Sequence, residues 1–228
     1  MNTPPLPHPN AASAPDTGQA VRMPDRTPPL LRAADGKRLS FDGYKQDFWP
    51  FHQAIEHRSS WKLERQQIFQ ELGSPSWEAH RDGDWELSLR LMDERRADLL
   101  RTQRENQDRG HLFHRVRVAE QPLTPYLQWE LTSLRQQAEC GTPVRVVGGD
   151  MVRPYEAEGP LPELVVLGGE RLYHVQYTAD GFLDGAILFT DPALVQPWEH
   201  FIRELFAAGE DMAAFHTREV APLPPPHI

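Results

Sequence analysis

The sequence predicts a mixed α/β (α+β) fold, in which a helical N-terminal part packs on a mixed sheet with flanking helices. Residues 41–107 carry apolar side chains at a spacing near 3.6, which is typical of helices. From His114 onward the spacing changes to two, or the segments become short and apolar, as in strands. We therefore expect one globular domain over residues 40–217, with a helical part at 40–110 and an α/β part at 111–208.

Proline marks both ends of the chain. Eight of the 22 prolines lie in the first 29 residues, and four lie in the last seven. Residues 1–39 have few aliphatic side chains and no regular apolar period, so they cannot bury enough surface to offset their ordering entropy. We expect 1–39 to be a disordered proline-rich arm and 218–228 to be an extended proline-rich tail.

Two helices are predicted within the helical part. The first covers 41–81, where Phe48 belongs to a patchy apolar stripe that is broken near Ser59. The second covers about 85–107 and carries many arginine and glutamate side chains. Together they would form the helical layer beside the sheet.

A strand, a helix and a second strand are predicted next. Residues 114–118 alternate as a half-buried strand does. Thr124 and Pro125 then favour a helix over 125–140, because threonine caps a helix and proline fits its first position. A strand at 143–147 would pair parallel with the first through a right-handed crossover. The remaining apolar segments predict further strands at 164–167, 173–177 and 186–189, and a helix from 191 onward.

Composition excludes several classes of protein. The formal net charge of −9 argues against a general nucleic-acid binder. No apolar run reaches the ~20 residues of a membrane span, and the N-terminus lacks the pattern of a signal peptide. The single cysteine, Cys140, excludes an internal disulfide and a cysteine-based zinc cluster. We expect a reduced cytoplasmic protein with no cofactor and no membrane partner.

Three landmarks carry a resemblance to a known family. They are HRSSWKLE, HRVRVAEQPLTPYLQWEL and DPALVQPWEHFIRELFAAG, and they span most of a segment from about residue 48 to about residue 208. This segment resembles domain of unknown function 6879, an uncharacterised actinobacterial family. The resemblance implies a gene that often lies beside one for a helix-turn-helix regulator, and it implies no chemistry.

The order of elements in residues 112–208 resembles, more distantly, a phospholipase D half-domain. The catalytic signature of that superfamily is His-x-Lys followed by four residues and Asp. Leu161, Glu163 and Gly168 occupy the aligned positions in this chain. The resemblance therefore implies a degenerate half-domain without catalytic residues, and a homodimer, since active enzymes join two halves.

Three arginines are the candidate ligand-binding residues. Arg115 and Arg117 share one face of their predicted strand, and Arg145 lies on the next one. Three guanidinium groups on adjacent strands could hold a phosphate or an acidic peptide. The alternative is that they cover a helix or pair with Glu120 and Glu130.

Tyr126, Trp129 and Glu130 are the candidate partner-binding residues. Their spacing of three and four places them on one side of the predicted helix. An aromatic pair beside a carboxylate suits a protein interface, because such side chains dominate binding energy. Core packing against the sheet is the alternative.

His111 and His114 have a spacing that would place both rings on one face of a helix, as in some metal sites. Gly110 precedes them and a strand begins at once, so the spacing would direct the two rings to opposite sides. We expect loop and strand histidines here, and no metal.

These observations support two hypotheses about function. The first is a non-catalytic regulatory or protein-interaction module, with a helix-turn-helix transcriptional regulator as the expected partner. The second is a phosphate-handling enzyme or toxin that uses the three arginines together with His114 or His174 as general acid. A role beside DNA is the weakest alternative, because the chain is acidic.

Overall fold

A computed structural model describes residues 22–226 of the 228-residue chain. Within these residues, eight strands form one mixed sheet, and helices pack on both of its faces. The predicted mixed α/β class is therefore confirmed. The strands are β1 (Lys37–Ser40), β2 (Ser59–Glu64), β3 (Leu112–Ala119), β4 (Val144–Gly148), β5 (Leu164–Leu167), β6 (Arg171–Tyr177), β7 (Leu183–Phe189) and β8 (Glu210–Asp211).

The helices lie before, between and after these strands along the chain. They are α1 (Phe41–Gln53), α2 (Pro75–Arg81), α3 (Trp85–Glu94), α4 (Arg96–Asp108), α5 (Pro125–Glu139), α6 (Gly149–Val152), α7 (Pro192–Ala208) and α8 (Met212–Phe215), and a π-helical turn follows at His216–Val220. None of the helices in residues 22–226 combines the length and the apolar character that a membrane crossing needs.

The sheet has the order β1-β7-β6-β5-β2-β3-β4-β8. Its central strands β2, β3 and β4 are parallel, and α5 joins β3 to β4 as the sequence predicts. The strands β5, β6, β7 and β1 continue the sheet antiparallel on one side, and β8 closes the other side. Gly168 and Gly169 make the tight turn between β5 and β6, where φ angles of 56° and 73° favour glycine.

The predicted first helix is wrong over half of its length. Only α1 and α2 are helical in residues 41–81, and between them β2 occupies the centre of the sheet, between β5 and β3. In β2 the side chains alternate, so Trp61 and Leu63 point to one face while Lys62 and Glu64 point to the other. The second predicted helix is present as α3 and α4, which meet at Arg95.

Part of the predicted disordered arm is ordered, and the predicted extended tail begins inside the π-helical turn at His216–Val220. Residues 1–21 of the predicted arm lie outside the described residues, but residues 22–39 lie against the domain. The carbonyl of Pro24 accepts a hydrogen bond from Tyr155 Oη at 2.6 Å, that of Pro29 accepts one from Trp198 Nε1 at 3.0 Å, and β1 pairs with β7. In the tail, the carbonyl of Pro224 accepts a hydrogen bond from Gln128 at 2.6 Å, and residues 227–228 are outside the described range. Apolar contacts of Met23 and Leu31 with the core supply the burial that composition did not reveal.

The two faces of the sheet are packed differently. On one face, the apolar side chains of the sheet pack on α7. On the opposite face, α1 packs through Tyr44 and Phe48, and α5 packs through Leu127 and Leu131. Because α1 and α5 lie toward opposite ends of the sheet, a groove remains beside α1, and α4, which contacts α5, forms its other side.

Candidate functional site

The groove lies on the sheet between α1 and α4 and has a volume of about 620 Å³. We call it the α1–α4 groove. Lys62 of β2 and Arg115 of β3 line its floor, and α1 and α4 line its sides. Three large apolar side chains are exposed around it, namely Phe41 (42%), Trp49 (52%) and Leu72 (73%). Exposed apolar side chains that cluster around one concave surface are typical of binding sites.

The sequence of α1 explains how these side chains reach the groove. The Ser40 side chain accepts a hydrogen bond from the Gly43 amide at 3.2 Å and caps the helix. Phe41, Lys45 and Trp49 recur at every fourth position, so they lie on one side of α1. The Lys45 ammonium lies 4.8 Å from the centre of the Phe41 ring. The helix therefore buries one stripe on the sheet and presents a second, aromatic stripe to the groove.

Glu64 lies buried beneath the charged floor and joins its two cations. Its carboxylate accepts two hydrogen bonds from Arg115, at 2.7 and 3.0 Å, and pairs with the Lys62 ammonium at 2.7 Å. Burial alone would raise the pKa of Glu64, but Arg115 and Lys62 outweigh it and hold that pKa well below its usual range. Two cations therefore share one carboxylate at the base of the groove.

Arg115 is one of the predicted ligand-binding residues, and it does line the groove. Its Nε and Nη2 donate to Glu64, and its Nη1 donates to Gln137 at 2.7 Å. Because all three guanidinium nitrogens have partners within the protein, we expect Arg115 to hold Glu64 and Gln137 in place and not to bind a ligand directly.

Arg117 does not reach the groove. It is fully buried, its Nε lies 2.7 Å from Oε2 of Glu130, and it donates to the backbone carbonyls of Glu64 and Gln66 at 3.1 and 2.7 Å. These contacts tie β3 to α5 and to the end of β2. The alternative in which an arginine pairs with Glu130 describes Arg117 correctly.

Arg145 lies on the opposite face of the sheet. The parallel register places it beside Val116, whose side chain points to the α7 face, and not beside Arg115 or Arg117. Its guanidinium lies over the Phe206 ring of α7 and 3.4 Å from Asp211. The predicted clamp of three arginines is therefore wrong, because one residue of register separates two of them from the third.

The predicted surface ridge of Tyr126, Trp129 and Glu130 is also wrong, because all three residues are buried. The helix α2 covers this side of α5. The indole of Trp129 packs on Trp77 and donates to Ser76 Oγ at 3.0 Å. The alternative of core packing agrees with this burial.

Neither His111 nor His114 lines the α1–α4 groove with Arg115, and His114 shares the α7 face with Arg145. His111 is buried, and its Nε2 lies 3.0 Å from Ser60 Oγ. Burial, and to a smaller extent the neighbouring His52, lowers the pKa of His111 to about 4. His114 stacks on Trp61 with ring centres 4.0 Å apart, on the α7 face. No three His, Cys, Asp or Glu side chains in residues 22–226 are grouped to hold a metal ion.

The residues aligned with the phospholipase D signature have structural roles. They are Leu161, Glu163 and Gly168. Leu161 is buried in the core, and Gly168 is in the β5–β6 turn. Oε1 of Glu163 accepts hydrogen bonds from the backbone amides of Arg65 and Gln66 at 2.7 and 2.5 Å. Burial raises the pKa of Glu163 to about 7.

Sequence reasoning missed the α1–α4 groove because it assigned β2 to a helix. The signal that could have revealed it is the segment SSWKLE, in which serine, lysine and glutamate alternate with tryptophan and leucine. Such alternation places Lys62 and Glu64 on the same face of a strand. The sequence of α1 does not show which of its aromatic residues are exposed, because aromatic side chains are usually expected in the core.

The model of one protein family, described as Domain of unknown function (DUF6879), matches residues 46–217. The matched segment begins inside α1, ends inside the π-helical turn, and so includes β2 to β8 and most of the groove. None of the curated proteins matches the chain.

Proposed function

Because the chain belongs to the DUF6879 family, whose description assigns no activity, we propose from its geometry that it is a non-catalytic protein-interaction module. In this proposal the α1–α4 groove holds a segment of a partner protein. The observation that carries it is the exposure of Phe41, Trp49 and Leu72 around one groove with a charged floor. Aromatic side chains, tryptophan in particular, supply much of the binding energy in many interfaces.

The composition of the groove supports binding over catalysis. Its lining is mainly apolar, and the only histidine that lines it is His52, whose pKa is lowered by burial and by Arg109. The lining carboxylate, Glu71, accepts a hydrogen bond from Tyr126 Oη at 2.9 Å. A concave surface of this composition suits the binding of a ligand.

The alternative proposal, a phosphate-handling enzyme, loses the cluster on which it was based. It needs Arg115, Arg117, Arg145 and a histidine in one pocket. Arg117 is buried in an ion pair, and Arg145 lies with His114 on the α7 face.

The identity of the partner is a further part of the proposal. Its support is the family resemblance, which implies a neighbouring gene for a helix-turn-helix transcriptional regulator in an actinobacterial genome. A regulatory role in the cytoplasm follows from such a partner. Likeness to a phospholipase D half-domain, and the homodimer that it implies, stay predictions.

A capture experiment with matched variants tests the proposal. The tagged protein, Trp49→Ala and the control Phe182→Ala are each incubated with cytoplasm from the organism of origin. Phe182 is 36% exposed and does not line the groove. We expect one stoichiometric partner, identified by mass spectrometry, with the wild type and Phe182→Ala, and at least tenfold less of it with Trp49→Ala. Equal capture by all three proteins would contradict binding in the groove, and turnover of a phosphodiester by the purified protein would contradict a non-catalytic role.

A further inference from the structure

The floor of the α1–α4 groove contains a partly exposed cation, the Lys62 ammonium. Resting on the proposed function, we infer that the bound partner segment carries an aspartate or glutamate that pairs with Lys62, flanked by apolar side chains that contact Trp49 and Leu72. The inference concerns the chemistry of the ligand, and three features of the groove support it.

The first feature is the difference between the two cations of the floor. The hydrogen bonds of Arg115 to Glu64 and Gln137 engage its Nε and both of its terminal nitrogens. An ammonium has three donors, and among residues 22–226 the one short contact of the Lys62 ammonium is with Glu64. The Lys62 side chain is 27% exposed and lines the groove. Lys62 is therefore the cation of the floor that can accept a second carboxylate.

The second feature is the charge around the groove. The lining includes three cations, Lys45, Lys62 and Arg115, and one carboxylate, Glu71. Glu64 beneath the floor cancels a second positive charge, so one positive charge remains uncompensated. The chain as a whole carries −9, which makes this groove a local exception. An acidic segment is repelled by much of the protein surface and attracted here.

The third feature is the apolar wall beside the lysine. The rings of Phe48 and Trp49 on α1, together with Leu72 and Leu99, line the same groove. Apolar walls exclude water and strengthen an ion pair formed between them. A nucleic-acid strand would need a track of cations for its successive phosphates, and one uncompensated charge does not supply it. A peptide in which one acidic residue lies between apolar residues fits both the walls and the floor.

A peptide selection tests the inference without knowledge of the natural partner. Random twelve-residue peptides displayed on phage are selected against the wild type, Trp49→Ala, Lys62→Met and Lys62→Arg, and the enriched sequences are read. We expect the wild type and Lys62→Arg to enrich peptides with Asp or Glu between apolar residues. Lys62→Met should enrich apolar peptides without that acidic preference, and Trp49→Ala should enrich neither.

A synthetic peptide then measures the ion pair without altering the protein. The most enriched sequence is compared with its analogue in which glutamine replaces the acidic residue, by fluorescence anisotropy on the wild type. We expect the acidic peptide to bind about tenfold more tightly than the analogue, and the two to bind equally to Lys62→Met. Circular dichroism and thermal unfolding check that each variant is folded.

The outcomes separate the inference from the proposed function. Peptides that depend on Trp49 but show no acidic preference would overturn the acidic ligand and leave the groove as a binding site. Absence of any Trp49-dependent peptide would overturn both.

Discussion

Arg117 and Glu130 form a buried ion pair whose members can be removed separately or together. Arg117 is fully buried, Glu130 is 5% exposed, and the paired atoms are 2.7 Å apart. Removal of one partner leaves an uncompensated buried charge and typically lowers the free energy of unfolding by about 3–5 kcal/mol. Replacement of both partners by apolar side chains removes that penalty. We therefore expect the two substitutions to be strongly non-additive.

The magnitude follows from the contacts of the guanidinium. Arg117→Met and Glu130→Met should each lower the free energy of unfolding by about 4 kcal/mol. The double variant contains no unpaired charge, but the carbonyls of Glu64 and Gln66 lose a donor, at a cost of about 1–3 kcal/mol each. We expect a total loss of about 2–6 kcal/mol in the double variant, below the ~8 kcal/mol that additivity would give.

Urea unfolding followed by circular dichroism at pH 7 measures the four free energies of this cycle. The control is Arg145→Met, which removes an arginine from the neighbouring strand whose pair with Asp211 is exposed. That substitution should change the free energy of unfolding by less than about 1 kcal/mol. A double variant that loses the sum of the two single losses would refute the reasoning, as would a loss below about 1 kcal/mol for Arg117→Met.

Two further predictions concern buried side chains. Trp129→Ala should lower the free energy of unfolding by about 3–5 kcal/mol, because the ring is 5% exposed and bonds Ser76, whereas the exposed Trp49→Ala should have a small effect. Thermal unfolding of both variants checks this prediction. A Trp129→Ala variant as stable as the wild type would contradict the burial of that ring. The pKa of Glu163 rises from 4.5 to about 7 on folding, so between these pH values the folded state binds more protons than the unfolded state and wild-type stability falls as the pH rises. Glu163→Gln should lack that fall of about 3 kcal/mol in urea titrations from pH 4.5 to 7.5, and equal slopes for both proteins would contradict the assignment.

The sequence predicted the elements whose signals are local. Thr124 and Pro125 mark the start of α5 correctly, since the Thr124 hydroxyl accepts a hydrogen bond from the Leu127 amide at 3.1 Å. The alternation of β3 and the crossover to β4 were also predicted correctly. In these segments, period and capping chemistry agree with the fold.

The candidate site depended on information that is not local. Arg145 was grouped with Arg117 although a parallel register of one residue sends them to opposite faces. Trp129 was assigned to a surface that α2 covers, and α2 lies about fifty residues earlier in the chain. Lys62 was overlooked because a six-residue strand between two helices leaves too short a period to recognise. The first two errors concern which element lies beside which, and composition carries little of that information.

The position of β2 at the centre of the sheet affects the order in which the protein can fold during synthesis. Its partner β3 begins at Leu112 and its other partner β5 begins at Leu164, so about a hundred residues separate β2 from the second of them. At a translation rate of roughly 5–20 residues per second, β2 waits several seconds on the ribosome with an unpaired edge. A nascent chain with an open, partly apolar strand is prone to pair with other chains. The protein therefore depends, until β5 emerges, on whatever shields that edge in the cell.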